Sequence, residues 1–239
     1  MQHLHNKSSR IFILIAVLLP LLSSCSSTRR ATNIPSTADP LSVEERSKYD
    51  NYFLEAVRMK EKGCHDVAFD LLNHCLDIHP TGAAALYEIA KYYFHIKQID
   101  KGEDALKKAV KADPDNYWYK QTLAIFYQNK QQTDEAIAVL EDMTQQFPSK
   151  TEPLIALLDL YNSTRNTNQM LKTLDRLEQL DGKSEQISMQ KARILMSADR
   201  NEEALAEIQT LSSEYPYDLR YRNLLGDALL ENGRPDEAL

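Results

Sequence analysis

Beyond residue 42, apolar side chains return at spacings of three and four. Leu86, Ile89, Ala90 and Tyr93 form one such group and Ala105, Leu106 and Ala109 the next. That rhythm is the signature of short amphipathic helices, and the breaks in it predict turns at Gly63, Lys97, Gln131, Arg165, Asp199 and Gly233. A second kind of stop is proline. Pro80, Pro114 and Pro148 are 34 residues apart and Pro216 follows after twice that interval, with Gly182 in the skipped slot. Proline cannot continue a helix and forces the residue before it out of helical geometry. At the front, Ser42-Val-Glu-Glu45 has the spacing of a capping box, which predicts a first helix that starts near Ser42 and outruns the others.

The chain divides into windows of 34 residues starting at Tyr49, Ala83, Tyr117, Thr151, Glu185 and Leu219. The eighth place of each holds Ala56, Ala90, Ala124, Leu158, Ala192 or Gly226, and the twentieth holds Ala68, Gly102, Ala136, Met170, Ala204 or Ala238. Large residues fill the eleventh place (Met59, Tyr93, Tyr127, Tyr161, Leu195, Leu229) and the twenty-fourth (Leu72, Leu106, Leu140, Leu174, Ile208). Small side chains let paired helices approach to the short end of the usual 8–10 Å or so. Each window is therefore expected to be a helical hairpin, and the hairpins to stack in a row. The fourth window puts Leu158 and Met170 in both small places, so its helices are expected to sit farther apart.

Ala136-Ile-Ala-Val-Leu140 through Pro148, Lys107-Lys-Ala-Val-Lys-Ala-Asp-Pro114 and Gly233-Arg-Pro-Asp-Glu-Ala-Leu239 carry the pattern most fully. It resembles the tetratricopeptide repeat over residues 49–239, which implies an all-α superhelical solenoid. On that resemblance the repeats cover 49–82, 83–116, 117–150, 151–184, 185–218 and, in part, 219–239, within a solenoid spanning 42–239. Pro235 suits the first turn of a helix, and solenoids usually finish with a helix whose outer face is polar. The sequence is thus expected to be a piece of a longer chain, continued by further repeats or by a catalytic domain for which these repeats are the targeting arm.

Residues 1–24 read as an export leader. Lys7 and Arg10 precede an uncharged run from Ile11 to Leu22, well short of the roughly 20 residues a membrane span needs. Leu22-Ser23-Ser24-Cys25 then resembles a bacterial lipobox. The resemblance implies that Cys25 is acylated and becomes the first mature residue, anchored by about 0.8 kcal/mol per buried methylene. Ser26, where an inner-membrane retention signal would place Asp, resembles the outer-membrane sorting pattern, with the periplasmic face the expected location. Residues 25–41 are polar, with prolines at 35 and 40, and read as a flexible tether.

Composition narrows the chemistry. With 43% hydrophobic and 26% charged residues the chain has the material for a core. Loss of Lys7 and Arg10 with the leader takes the net charge from −7 to −9. Nucleic acid is therefore not an expected partner, because a duplex-binding face is basic. Cys64, His65, His74, Cys75 and His79 form the one cluster of metal-ligand types. A disulfide between Cys64 and Cys75 is disfavoured: eleven residues of helix separate their Cα atoms by ~16 Å, against the roughly 7 Å a bond tolerates. No glycine-rich phosphate loop and no serine–histidine pairing can be assembled. No cofactor, metal or catalytic residue is assigned, and the residues are not expected to form an enzyme.

What remains is binding. In tetratricopeptide folds the first helix of each pair lines the groove, and the resemblance turns its second, fifth, ninth and twelfth places inward. They bring Phe53, Tyr87, Lys91, Phe94, Trp118, Ile125, Gln128, Asp159 and Arg193. Aromatic anchors beside charges suit a peptide groove, while packing between repeats competes as a role for Tyr87 and Trp118. The places of the basic and Asn residues by which chaperone-type repeats clamp a terminal carboxylate hold Phe53, Val57, Glu88, Trp118 and Thr122, so that ligand is disfavoured. The expected partner is a protein or peptide, with self-association through an open end as a further possibility.

Overall fold

The computed structural model describes residues 41–182 and 184–238. The expectations for the leader, Cys25 and the tether fall outside them. Ser42 caps the first helix as its spacing foretold: its hydroxyl accepts from the Glu45 amide, and the Glu45 carboxylate accepts from the Ser42 amide at 2.9 Å. Helix α1 (Val43–Glu61) runs 19 residues, whereas the ten α-helices that follow among the described residues have 12 to 15.

First and second helices alternate. The first helices are α1, α3 (Ala83–His95), α5 (Tyr117–Asn129), α7 (Glu152–Ser163), α9 (Glu185–Ser197) and α11 (Leu219–Glu231). The second helices are α2 (His65–Ile78), α4 (Ile99–Ala112), α6 (Thr133–Gln146), α8 (Thr167–Asp181) and α10 (Asn201–Glu214), and all five begin on the seventeenth place of their window. A short 3₁₀ turn, Pro235–Glu237, follows α11. No strand occurs among the described residues. Each helix packs mainly on its sequence neighbours, within the hairpin and between hairpins, which makes an all-α solenoid of stacked pairs.

The turn inside every hairpin is built the same way. Gly63, Lys97, Gln131, Arg165, Asp199 and Gly233 all have positive φ, between 55° and 78°. In each, the amide of the sixteenth place donates to the carbonyl of the eleventh at 2.8–3.0 Å, as from Gln98 to Tyr93 and from Gln132 to Tyr127. The amide of the fifteenth donates to the carbonyl of the twelfth, as from Lys97 to Phe94. This is the Schellman closure, which satisfies helix-end carbonyls and needs a left-handed residue. Four of the six sites hold a residue with a Cβ, which the left-handed conformation penalises.

Second helices stop for a different reason. His79, Asp113, Phe147 and Tyr215 each precede a proline and adopt extended backbone, with ψ between 62° and 88°. That is the region proline imposes on its predecessor. Where Gly182 replaces proline, α8 continues one residue longer than the other second helices and ends on a positive φ of 85°.

The small places are where the hairpins close. Ala56, Ala68, Ala90, Ala124, Ala136, Ala192 and Ala204 are all fully buried. Gly102 fills its place without a Cβ because the Phe94 ring already occupies that space; a Cβ there would lie 2.4 Å from it. The fourth hairpin differs as expected. Met170 is buried and Leu158 half-buried in the small places, and α7 and α8 show the sparsest close backbone approach of the five complete hairpins.

The non-glycine turns are a reserve of stability. Glycine at Lys97 or Gln131 removes a left-handed penalty of roughly 1–2 kcal/mol and restores about 0.4–1 kcal/mol of unfolded-chain entropy. Each variant is expected to gain about 0.5–1 kcal/mol net, seen as a higher urea midpoint by circular dichroism. Gly63→Ala is expected to lower it.

Candidate peptide-binding face

With 100° of rotation per residue, places two, five, nine and twelve of a first helix fall within about 80° of one another. The structure divides the aromatic and aliphatic candidates on this stripe into two groups by what they touch.

Phe53, Tyr87 and Phe94 serve packing. Phe53 is half-buried against the first core cluster and stacks on Tyr49 at 6.2 Å. Tyr87 reaches from α3 to α5, with its ring 4.5 Å from that of Tyr119 and its hydroxyl 3.0 Å from Thr122 Oγ1. Thr122 itself donates to the Trp118 carbonyl at 2.8 Å, which leaves Tyr87 as the donor to Thr122. Phe94 stacks on Phe126 of α5 at 5.0 Å. These rings are long enough to cross to the next hairpin, and the energy of an offset aromatic pair holds them there. The expectation that they line a free groove is corrected accordingly.

Trp118 and Ile125 stay in solvent, 66% and 49% exposed. Ile155, in the fifth place of α7, joins them at 52%. The register pointed to Ile155 as directly as to Tyr87, but the sequence reading passed over it. Core residues Ala124 of α5 and Leu154 and Leu157 of α7 share one cluster, so the two helices that carry these side chains are packed neighbours. Gln128 is half-buried beside them, while Asp159 and Arg193 are exposed.

Charge is organised around the stripe. Glu88 of α3 accepts from Lys60 of α1 at 2.7 Å and from Lys91, whose ammonium also sits 4.6 Å over the Tyr87 ring. Burial alone would raise the Glu88 carboxyl, but the hydrogen bonds from Lys60 and Lys91 more than offset it and hold it below the ordinary glutamate value. Two lysines are buried, which the sequence did not foretell. Lys120 of α5 reaches Asp142 and the Gln146 amide oxygen of α6. Lys191 of α9 bonds Asp175 and Glu178 of α8 at 2.6 and 2.7 Å. Burial works against the Lys191 charge, yet those carboxylates raise its pKa.

Between α9 and α11 lies an open cleft of about 630 Å³. Met189 and Leu224 supply apolar surface, Gln186 and Gln190 amides, and Arg193 a guanidinium. Its remaining wall is a closed network: the Tyr221 hydroxyl donates to Glu185, and Arg220 pairs with Asp218 at 2.6 Å and with Glu185 at 3.4 Å.

The metal-type cluster is dispersed. Cys64 is exposed at the start of α2. Cys75 is fully buried, its thiol directed at the Tyr49 carbonyl and pushed up to about 11 by burial. His79 pairs with Thr81 and His74 with Asp77. Among the described residues no three His, Cys, Asp or Glu side chains are placed to hold a metal ion, and both described cysteines are free thiols.

Residues 97–160 and 189–239 match family models of the tetratricopeptide repeat. The chain carries tetratricopeptide repeats. Anaphase-promoting complex subunit 3 of Schizosaccharomyces pombe is 22% identical over 177 residues, 73% of this chain. The chain spans about a quarter of that relative's length, 26%. A tetratricopeptide repeat protein from Parabacteroides merdae superposes with a TM-score of 0.53 at 17% identity, over 80% of this chain and 76% of its own. Naa15/Naa10 bound to HypK-THB gives 0.58 at 20%, over 82% and 31%, and MamA protein 0.52 at 15%, over 74% and 96%. At these identities the likeness is one of fold.

The Glu88 hub has a pH signature. Its carboxyl titrates lower folded than unfolded, so its contribution is complete above the ordinary glutamate range and disappears as pH falls through and below that range. Glu88→Gln is expected to flatten the acid side of a stability–pH profile measured by urea unfolding, with the two proteins converging at low pH.

Proposed function

We propose that this chain is a scaffold that captures a segment of another protein on the exposed stripe of its first helices, and that a lipid on Cys25 anchors it in a bacterial cell envelope. Tetratricopeptide repeats are typical of protein–protein interaction scaffolds. The observation that carries the reading is the trio Trp118, Ile125 and Ile155. They are large apolar side chains left about half exposed or more, on one face of packed neighbouring helices. A buried anchor of this kind supplies most of the energy in a protein interface. The stacked hairpins beneath hold it in place before the partner arrives, which lowers the ordering cost of capture.

The anchor reading rests on the leader and on Leu22-Ser23-Ser24-Cys25, followed by Ser26. It places the repeats at the outer membrane, facing the periplasm, at the end of a polar tether. Among the described residues no helix is long and apolar enough to cross a membrane.

Crosslinking and pull-down from native membranes test both parts. Trp118→Ala and Ile125→Ala are expected to lower capture while leaving the helical signal and urea midpoint nearly unchanged. Tyr87→Ala is expected instead to destabilise by about 1–3 kcal/mol, through lost packing and an orphaned Thr122. Undiminished capture by both the Trp118 and Ile125 variants would exclude the stripe. Cys25→Ser is expected to abolish fatty-acid labelling and move the protein to the soluble fraction; persistent labelling would exclude the anchor.

A further inference from the structure

The α9–α11 cleft presents the same places of the first helices as the Trp118 stripe, Gln186 and Arg220 standing in the second, Met189 in the fifth and Arg193 in the ninth. Its charges are not balanced. Glu185 is engaged by Tyr221 and Arg220, and Arg220 by Asp218. Arg193 lines the cleft at the surface and is left without a counter-ion of its own, in a chain of net charge −7. Such a chain has carboxylates to spare, and the neighbouring lysine of the same helix, Lys191, takes two of them. An arginine offers two parallel N–H donors matched to the two oxygens of a carboxylate. Beside it, Met189 and Leu224 accept an aliphatic side chain, and the Gln186 and Gln190 amides can both donate to and accept from an extended backbone.

The geometry points to this cleft as a subsite for an acidic side chain, Asp or Glu, within the captured peptide, with Arg193 its anchor and an apolar neighbour seated on Met189 and Leu224. The assignment rests on the peptide-capture reading above and adds its chemistry. One guanidinium meets the need of one side-chain carboxylate, and the cleft volume of about 630 Å³ accommodates several residues of a strand. Overall negative charge disfavours acidic ligands at long range, so selection of one reports the local field of Arg193.

The test is selection of random dodecapeptides displayed on phage against the full chain and its R193Q, R193E and W118A forms, each checked for helical signal. Arg193 is exposed and makes no ion pair, so its variants are expected to fold. The wild type is expected to enrich Asp and Glu next to an aliphatic residue by about fivefold over the starting library. R193Q should lose the acidic enrichment and keep the apolar one, and R193E should turn the preference towards Lys and Arg. Acidic enrichment that persists in R193Q, or is missing from the wild type, overturns the Arg193 assignment. In that case reduced recovery by W118A would still support the groove. If W118A recovers as much peptide as the wild type while R193Q loses the acids, the cleft assignment holds and the Trp118 reading falls. If the wild type recovers no peptide, both fall.

Discussion

The reversal of the backbone at a fixed count is the constraint from which the rest follows. At every thirty-fourth residue one position turns left-handed, and the amide after it closes back onto the eleventh place of the window. That closure ends one helix and sets the starting residue of the next, so all five second helices begin in the same place. Only then do Ala56 and Ala68, or Ala90 and the bare Gly102, face each other where the pair is tightest. The backbone tolerates Lys97, Gln131, Arg165 and Asp199 at the cost of strain because the packing beyond the turn admits no other path.

The electrostatics obey the same geometry. Lys120 and Lys191 would be costly to bury alone, yet each meets oxygen atoms on an adjacent second helix, and Lys60 and Lys91 converge on Glu88 from successive first helices. These links tie helices across and between hairpins. They also consume charge near the stripe, so what is left for a partner is apolar around Trp118 and cationic at Arg193.

The fold was legible because its determinants are local. The capping box at Ser42, the six turns and the proline stops depend on residues within a few places of one another, and periodicity displays them. The fourth hairpin was legible too, since Leu158 and Met170 break the small-residue rule where the helices are least closely engaged. The binding face was only half legible. Place in the register told which side Phe53, Tyr87 and Phe94 leave the helix, but not that each ring reaches a neighbour. Trp118 and Ile125 share the same places and stay in solvent. Lys120 and Lys191 looked like ordinary solvated lysines, because their partners lie on other helices and no short-range signal marks them. Expectations resting on residues 1–40 concern chemistry outside the described structure.

The left-handed turn also confines errors. Adding one residue inside a helix would swing everything after it by about 100°, carrying apolar side chains out of the core. Because each closure restarts the count, the disturbance ends at the next reversal, and the hairpins beyond keep their facing. Loss of a whole window would shorten the array without rotating it. The protein can therefore change length in evolution by whole modules, while single insertions are tolerated only in the loops that the closures seal off.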